Sequence, residues 1–161
     1  MRSETACFTG HRVLPAKEIP AIGERLEKAL TLLIKQGYRC FEAGGALGFD
    51  TLAAQIVLRL RERYPQISLT LVLPCPEQTH SWSPADIDSY EEIKRRADRV
   101  ICTAEHYFRG CMQKRDRYLV DDSSVCLAYL TRATGGTAYT VNYARRRGLR
   151  IVNIAEPNES G

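Results

Sequence analysis

Two patterns of hydrophobic and polar positions alternate along the chain. Short, almost continuously apolar runs are typical of strands buried on both faces, and they lie at residues 5–10, 39–43, 67–74, 99–104, 124–130 and 150–154. Between them, apolar residues recur at helical spacing, at residues 18–36, 49–63, 89–97, 113–120 and 135–147. Strands that alternate with helices predict a parallel sheet covered by helices on both faces.

Punctuating residues support these boundaries. Gly37 and Gly148 stand where helices are expected to stop, and Pro65 follows the second helix. Ser89 and Glu92 form an S-x-x-E capping box, which predicts that the third helix begins there.

The segment 75–88, just before that capping box, is polar and contains prolines, so it is predicted to be a long loop. Within it, Asp86 and Asp88 are expected to prepare the helix start. Two interpretations of Trp82 stay open, a lid over a pocket and local packing.

These elements predict an α/β fold, a single Rossmann-like domain over residues 1–156. Its sheet is expected to be mainly parallel, with about six strands and helices on both faces. Residues 157–161, which are polar, are expected to form a flexible tail.

The composition suits a globular protein, with 44% hydrophobic and 26% charged residues. No apolar run approaches the roughly 18 residues that span a membrane, and the N-terminus has no apolar signal-peptide core. The dispersed cysteines form no C-x-x-C pair, which is typical of a reduced, cytoplasmic protein. The histidines have no metal-ligand spacing, so no metal site is predicted.

The formal charge of +4 permits anionic partners without requiring them. Basic residues cluster at 94–96, 114–115 and 145–147. Solvated helix faces are the simpler interpretation of these clusters. A nucleic-acid-binding stripe is the alternative, although no stretch interleaves basic and aromatic residues. The sequence leaves open whether the chain forms a homo-oligomer.

Candidate chemistry lies in the loops at the carboxyl ends of the strands, where open parallel sheets bind ligands. The loops after the second and fifth strands are both glycine-rich turns that lead into a helix. Glycine allows positive φ and close approach of a ligand to the main chain, and the following helix offers free N–H donors. The residues concerned are Gly44, Gly45, Gly48, Gly135, Gly136 and Thr137.

Asp50 distinguishes the two turns because it should lie in the first turn of the second helix. It is either a helix cap or a ligand contact. A carboxylate would repel a phosphate but accepts hydrogen bonds from ribose hydroxyls. We therefore expect the sugar of a nucleotide near Asp50 and its phosphate near residues 135–137, where no acid follows in the first turn.

The first strand is followed directly by Thr9-Gly10-His11-Arg12. Arg12 offers a fork of donors that suits phosphate, and His11 can stack, donate or titrate. Both are candidate ligand contacts at the same edge of the sheet.

Several motifs, in order, resemble the YpsA-like family of the SLOG superfamily, which also includes DNA-processing Smf proteins and Lonely guy hydrolases. They are "FTGHR", "GGALGFDTLAA", "LVLPCPEQ" and "RDRYLVDDSSVCLAYL" followed by "GGTAYTVNYA". The resemblance covers about residues 5–154. It implies a Rossmann-like domain of a bacterial protein that binds a nucleotide-derived ligand such as NAD or ADP-ribose, with no other cofactor implied.

The resemblance also implies a set of pocket residues. Arg115 matches a position in an Arg-Asn pair of the family, although here Asp116 replaces the asparagine. The other pocket residues implied are Thr9, Gly10, His11, Arg12, Gly44, Gly45, Asp50, Gly135, Gly136 and Thr137.

The related hydrolases carry a P-G-G-x-G-T-x-x-E motif with a catalytic glutamate, and this chain has "TGGTAYTVNYA" instead. Asp50 is then the one acid in the predicted pocket loops that can serve catalysis. The leading hypothesis is therefore binding or sensing of a nucleotide derivative without catalysis. The alternatives are a nucleotide N-glycohydrolase that uses Asp50, and a single-stranded DNA-binding module.

Overall fold

The computed structural model describes residues 1–156, and the tail expected at 157–161 lies outside the described residues. The described residues form a six-stranded, all-parallel sheet, which confirms the predicted Rossmann-like α/β fold. The strands are β1 (Thr5–Gly10), β2 (Cys40–Ala43), β3 (Ser68–Leu73), β4 (Arg99–Cys102), β5 (Val125–Tyr129) and β6 (Arg150–Asn153). The helices are α1 (Ile19–Lys35), α2 (Phe49–Arg63), α3 (Pro84–Arg96), α4 (Cys111–Asp121) and α5 (Gly136–Arg146).

The strand order is β4-β3-β2-β1-β5-β6. The chain therefore adds strands to one side of β1 and then crosses over to add β5 and β6 on the other side. This reversal separates the loops that leave β1 and β5, and it opens a crevice at their carboxyl ends.

Alternate residues of each buried strand face opposite layers of helices, as the pleat requires. Phe8 of β1 packs in the larger core, which is completed by α1, α2 and α3. Its neighbour Cys7 points to the other side and packs with Leu119 of α4 and Val141 of α5. Because β1 is buried from both sides, its run of apolar residues is continuous.

The third helix begins earlier than the capping-box pattern predicted. α3 starts at Pro84 because the Oγ atom of Ser83 accepts a hydrogen bond from the N–H of Asp86, at 3.2 Å. Proline suits the first helical position, so Ser83-Pro84 begins the helix, and Ser89 and Glu92 lie within it.

Two expectations for the preceding segment change with this helix start. Asp86 and Asp88 belong to α3 itself instead of preceding it. Trp82 packs locally, with its ring centroid 5.4 Å from that of Tyr90 in an edge-to-face arrangement. No helix within residues 1–156 is long and apolar enough to cross a membrane.

Glu42 of β2 is a buried acid in the layer that contains Cys7. Its side chain is 4% exposed, and its Oε1 atom has no hydrogen-bond partner among residues 1–156. Burial, and secondarily the nearby Asp122 carboxyl group, raise the pKa of Glu42 from 4.5 to about 9. Folded Glu42 therefore keeps its proton at neutral pH, whereas the unfolded chain releases it.

We expect this difference to lower the stability of the protein as the pH rises from about 5 to about 9. Glu42→Gln has no proton to lose, so it should remove roughly 1–3 kcal/mol of that fall in the free energy of unfolding. Urea denaturation at pH 5, 7 and 9 measures the effect. Glu62→Gln, on the exposed surface of α2, is the control; the same pH profile in both variants would contradict the assignment.

Candidate functional site

A cavity of about 540 Å³ opens at the carboxyl ends of β1 and β5, where the strand order reverses. Its volume is typical of small-molecule sites. Eight of the residues predicted for a ligand pocket line it: Thr9, Gly10, His11, Arg12, Asp50, Arg115, Gly136 and Thr137. The predicted residues Gly44, Gly45, Gly48 and Gly135 are not among those that line it.

The glycine loop between β2 and α2 is packed against the protein itself. A Cβ atom on Gly48 would lie 2.3 Å from the carbonyl oxygen of Arg12, and one on Gly44 would lie 2.7 Å from Nη1 of Arg115. A Cβ atom on Gly45 would lie 2.7 Å from Leu73. Internal packing thus explains these glycines, and ligand contact at them stays a prediction.

The glycine turn between β5 and α5 is open. A Cβ atom on Gly135 or Gly136 would meet nothing within 4 Å among the residues that the structure describes. Gly135 has a φ of +104° and precedes the first turn of α5, which carries no acid. Its open backbone leaves room for a group that approaches the N–H donors of the helix start, beside Gly136 and Thr137.

Asp50 lies in the first turn of α2, as predicted, and is 6% exposed at the cavity. Its Oδ2 atom accepts a hydrogen bond from the N–H of Ala46 at 3.3 Å, so it caps the loop before the helix. Its Oδ1 atom is buried with no hydrogen-bond partner in residues 1–156. Burial raises the pKa of Asp50 from 3.8 to about 6, against the opposing charge of Arg115.

Arg115 of α4 is 4% exposed and is held by groups of the protein. Its Nε atom donates to Oδ1 of Asp116 at 2.7 Å, and its Nη1 atom donates to the carbonyl oxygen of Gly44. Nη1 also lies 3.4 Å from Oε1 of Gln78. Asp116 therefore pairs with Arg115, which bridges α4 to the loop after β2.

His11 joins the loops that leave β1 and β5. Its Nε2 atom accepts a hydrogen bond from the N–H of Thr131 at 3.0 Å, and its ring packs edge-on against Tyr129. Burial, and then the charge of Arg132, lower the pKa of His11 below its usual 6.5. His11 is therefore neutral at pH 7, whereas Arg12 is an exposed cation at the rim.

Sequence reasoning missed Arg132, which lines the cavity and lies 3.1 Å from the ring of His11. The available signal was its place in "LTRATGG", three residues before the open glycine turn. The other lining residues outside the predicted set are Phe8, Val13, Pro15, Glu18, Ala46, Met112, Gln113, Asp116, Tyr129, Thr131 and Thr134. No group of three or more metal-ligating side chains occurs in the described part of the chain.

Comparison with known proteins places the chain in a family. The model of the YspA SLOG family matches residues 13–151. The chain belongs to this family. The UPF0398 protein of Halalkalibacterium halodurans is 30% identical to it over 132 residues, 80% of this chain and 70% of that protein. The SPbeta prophage-derived protein YoqJ of Bacillus subtilis is 29% identical over 130 residues, 73% of this chain and 76% of YoqJ.

Solved structures of low sequence identity share the fold of this SLOG family member. DNA processing protein A (DprA) of Streptococcus pneumoniae aligns over 92% of this chain with a TM-score of 0.65 and 12% identity, and this chain spans about half, 49%, of its length. DprA of Helicobacter pylori aligns with a TM-score of 0.63 and 16% identity, over 91% of this chain and 63% of that protein. TM1055 aligns with a TM-score of 0.57 and 20% identity, over 92% of this chain and 72% of TM1055.

Packing around the glycine loop predicts a large effect of Gly48→Ala. Its Cβ atom would clash with the carbonyl oxygens of Arg12 and His11, at 2.3 and 2.5 Å, and φ is +76°. We expect a loss of about 3 kcal/mol in the free energy of unfolding. Gly37→Ala is the matched control, because its φ of +102° is also positive but its Cβ atom would meet nothing within 4 Å; we expect a loss of about 1 kcal/mol there. Equal losses in urea denaturation would show that strain alone, and not the contact, explains Gly48.

Proposed function

We propose that this protein binds a nucleotide-derived ligand, of the ADP-ribose or NAD type, in the cavity at the ends of β1 and β5. The observation that carries the proposal is the Oδ1 atom of Asp50, a buried acceptor without a partner among residues 1–156, on a side chain that lines the cavity. The open start of α5 at Gly136 lines the same cavity. One cavity thus offers an acceptor for a sugar and donors for a phosphate.

The sugar half of the proposal follows from the hydrogen bonding of Asp50. A buried acceptor without a donor costs about 1–3 kcal/mol, and a ribose hydroxyl supplies such a donor. The other oxygen of the carboxylate is already held by Ala46, which fixes the direction of the side chain. Binding of a hydroxyl also favours the ionised form, so it should lower the pKa of Asp50 from about 6.

The phosphate half rests on the turn before α5. Free N–H groups and the positive end of the helix dipole attract an anion, and Thr137 adds a hydroxyl in the cavity wall. Arg12 is an exposed cation at the rim of the same cavity. The absence of an acid from the first turn of α5 leaves this positive potential uncompensated there.

Hydrolysis of a glycosidic bond is a second candidate, favoured by the raised pKa of Asp50. A carboxyl group that titrates at about 6 in a cavity is suited to general acid–base work near neutral pH. Incubation with NAD or AMP and detection of the free base tests this function. Release by the wild type that is lost in Asp50→Asn would establish it, and no release by the wild type would leave binding alone.

Binding of single-stranded DNA is a third candidate, because the structure of the Helicobacter pylori DprA is described as showing a single-stranded DNA-binding mode. In this chain the basic clusters 94–96 and 145–147 lie at the ends of α3 and α5. Those helix ends face the amino-terminal edge of the parallel sheet, opposite the cavity. Arg147 is partly neutralised there by Asp121, at 3.2 Å.

An oligonucleotide titration separates the two edges. Binding that ADP-ribose displaces would place DNA in the cavity. Binding that ADP-ribose leaves unchanged, and that Arg145→Gln with Arg146→Gln weakens, would place DNA at the opposite edge. No binding at low salt, where phosphate contacts are strongest, would remove the DNA function.

The main test measures the affinity for ADP-ribose by calorimetry and thermal shift. We expect Asp50→Asn to weaken binding about tenfold or more, since the charged acceptor for the ribose is lost. Wild-type affinity should also fall as the pH drops below about 6, where Asp50 takes up a proton. Asp88→Asn, an exposed acid of α3, is the control and should bind as the wild type does. No stabilisation by millimolar ADP-ribose, NAD or AMP would refute the proposal.

A further inference from the structure

His11 and Arg132 face each other in the cavity wall, and the hydrogen-bonding groups between them are not matched as donor and acceptor. Nε2 of His11 lies 3.0 Å from the backbone nitrogen of Thr131, and Nδ1 lies 3.1 Å from Nη2 of Arg132. His11 is only 7% exposed, so most of its surface is shielded from solvent.

Both contacts place an N–H donor beside the imidazole ring, and a neutral ring has only one nitrogen that can accept. The N–H of Thr131 can only donate, so Nε2 must be the bare nitrogen that accepts. A neutral imidazole then carries its proton on Nδ1, which points that proton at the guanidinium of Arg132. An arginine has no acceptor, and two donors therefore lie 3.1 Å apart with no acceptor between them.

Of the two contacts, the one to Arg132 is free to change. The amide of Thr131 belongs to the main chain directly after β5, whereas Arg132 is an exposed side chain. Protonating His11 would not relieve the conflict, because an imidazolium would oppose both donors. An oxygen acceptor with negative charge relieves it, since it accepts from Nδ1–H and from the guanidinium together.

We infer that His11 and Arg132 form an anion subsite that holds a phosphate oxygen, with Nδ1–H of His11 and the guanidinium of Arg132 as its two donors. This inference rests on the proposed nucleotide-derived ligand for its biological occupant, and it assigns that ligand's phosphate to a specific pair of side chains. Both residues line the cavity together with Gly136 and Thr137. The subsite therefore lies in the same cavity as the start of α5.

The other charged groups that line the cavity do not alter this assignment. Arg115 is paired with Asp116, at 2.7 Å, so their opposite charges largely offset each other. The remaining charged residues of the lining are Arg12, Glu18 and Asp50. Of the cavity's charged groups, Arg132 is the one whose charge lowers the pKa of His11.

Pyrophosphate is the direct probe, because it offers phosphate oxygens without a sugar or a base. We expect wild-type protein to bind it at low salt, with Arg132→Gln weakening binding about tenfold or more and Arg132→Lys retaining part of the affinity. Arg63→Gln removes the same charge from the exposed end of α2 and should bind as the wild type does. No binding to the wild type, or equal binding to Arg132→Gln, overturns the inference.

Nitrogen NMR of His11 gives a second readout that a merely structural arginine would not move. In the free wild type, the neutral ring should carry its proton on Nδ1, and its pKa should rise when pyrophosphate is added. In Arg132→Gln the pKa should already be higher without pyrophosphate, since the repelling charge is gone, and it should respond little. A proton on Nε2 in the free protein would overturn the assignment of donors.

The experiments can refute the anion subsite and the proposed nucleotide-derived ligand independently of each other. Binding of ADP-ribose that Arg132→Gln leaves unchanged would sustain the proposed function and refute the subsite. Binding of pyrophosphate that depends on Arg132, without binding of ADP-ribose, NAD or AMP, would sustain the subsite and refute the nucleotide-derived ligand.

Discussion

A buried guanidinium needs hydrogen-bond acceptors, and the geometry around the cavity depends on which acceptors Arg115 uses. Its hydrogen bonds reach Asp116 on its own helix and the carbonyl oxygen of Gly44 in the loop after β2. These contacts tie α4, on one face of the sheet, to the loop that precedes α2 on the other face. A side chain at residue 44 would lie where the guanidinium now lies. Arg115 can therefore keep its position only if residue 44 is a glycine. Loss of the groups that pair with a buried charge is strongly destabilising.

The same pairing sets the electrostatics of Asp50. Arg115 lowers the pKa of Asp50, but Asp116 opposes that effect, and burial dominates both. An uncharged asparagine at residue 116 would leave more of the arginine's positive charge to act on Asp50. Asp116 thus helps to keep the pKa of Asp50 at about 6, where the carboxyl group is close to its titration point. A charge that makes no hydrogen bond to Asp50 therefore contributes to the pKa of Asp50.

Much of the fold could be predicted because its signals are local. The apolar run of β1 and the helical period of α2 appear in the structure with the predicted limits, Thr5–Gly10 and Phe49–Arg63. The predicted start of α3 was wrong because the sequence offers two N-cap signals within a few residues. The helix uses Ser83 as its N-cap, followed by Pro84, and not Ser89. Only the packing of the segment decides between such signals.

The site was less accessible to sequence reasoning because its contacts join distant parts of the chain. Nothing near Gly44 indicates that Arg115, 71 residues away, occupies the space beside it. Arg132 likewise gains meaning only from His11, 121 residues away, whose ring it faces across the ends of β1 and β5. Asp50 could be located because its role depends on its own helix start.

The two glycine turns, which look alike in the sequence, have opposite surroundings in the structure. At Gly48 the missing side chain makes room for the backbone of residues 11–12, whereas at Gly136 it leaves empty space. Glycine-rich turns at the same edge of one sheet therefore need not share a function. The closed turn brings the loops after β1 and β2 together and so positions Asp50. The open turn leaves the start of α5 accessible beside Arg132, and a ligand that used both would meet a fixed acceptor on one side and donors on the other.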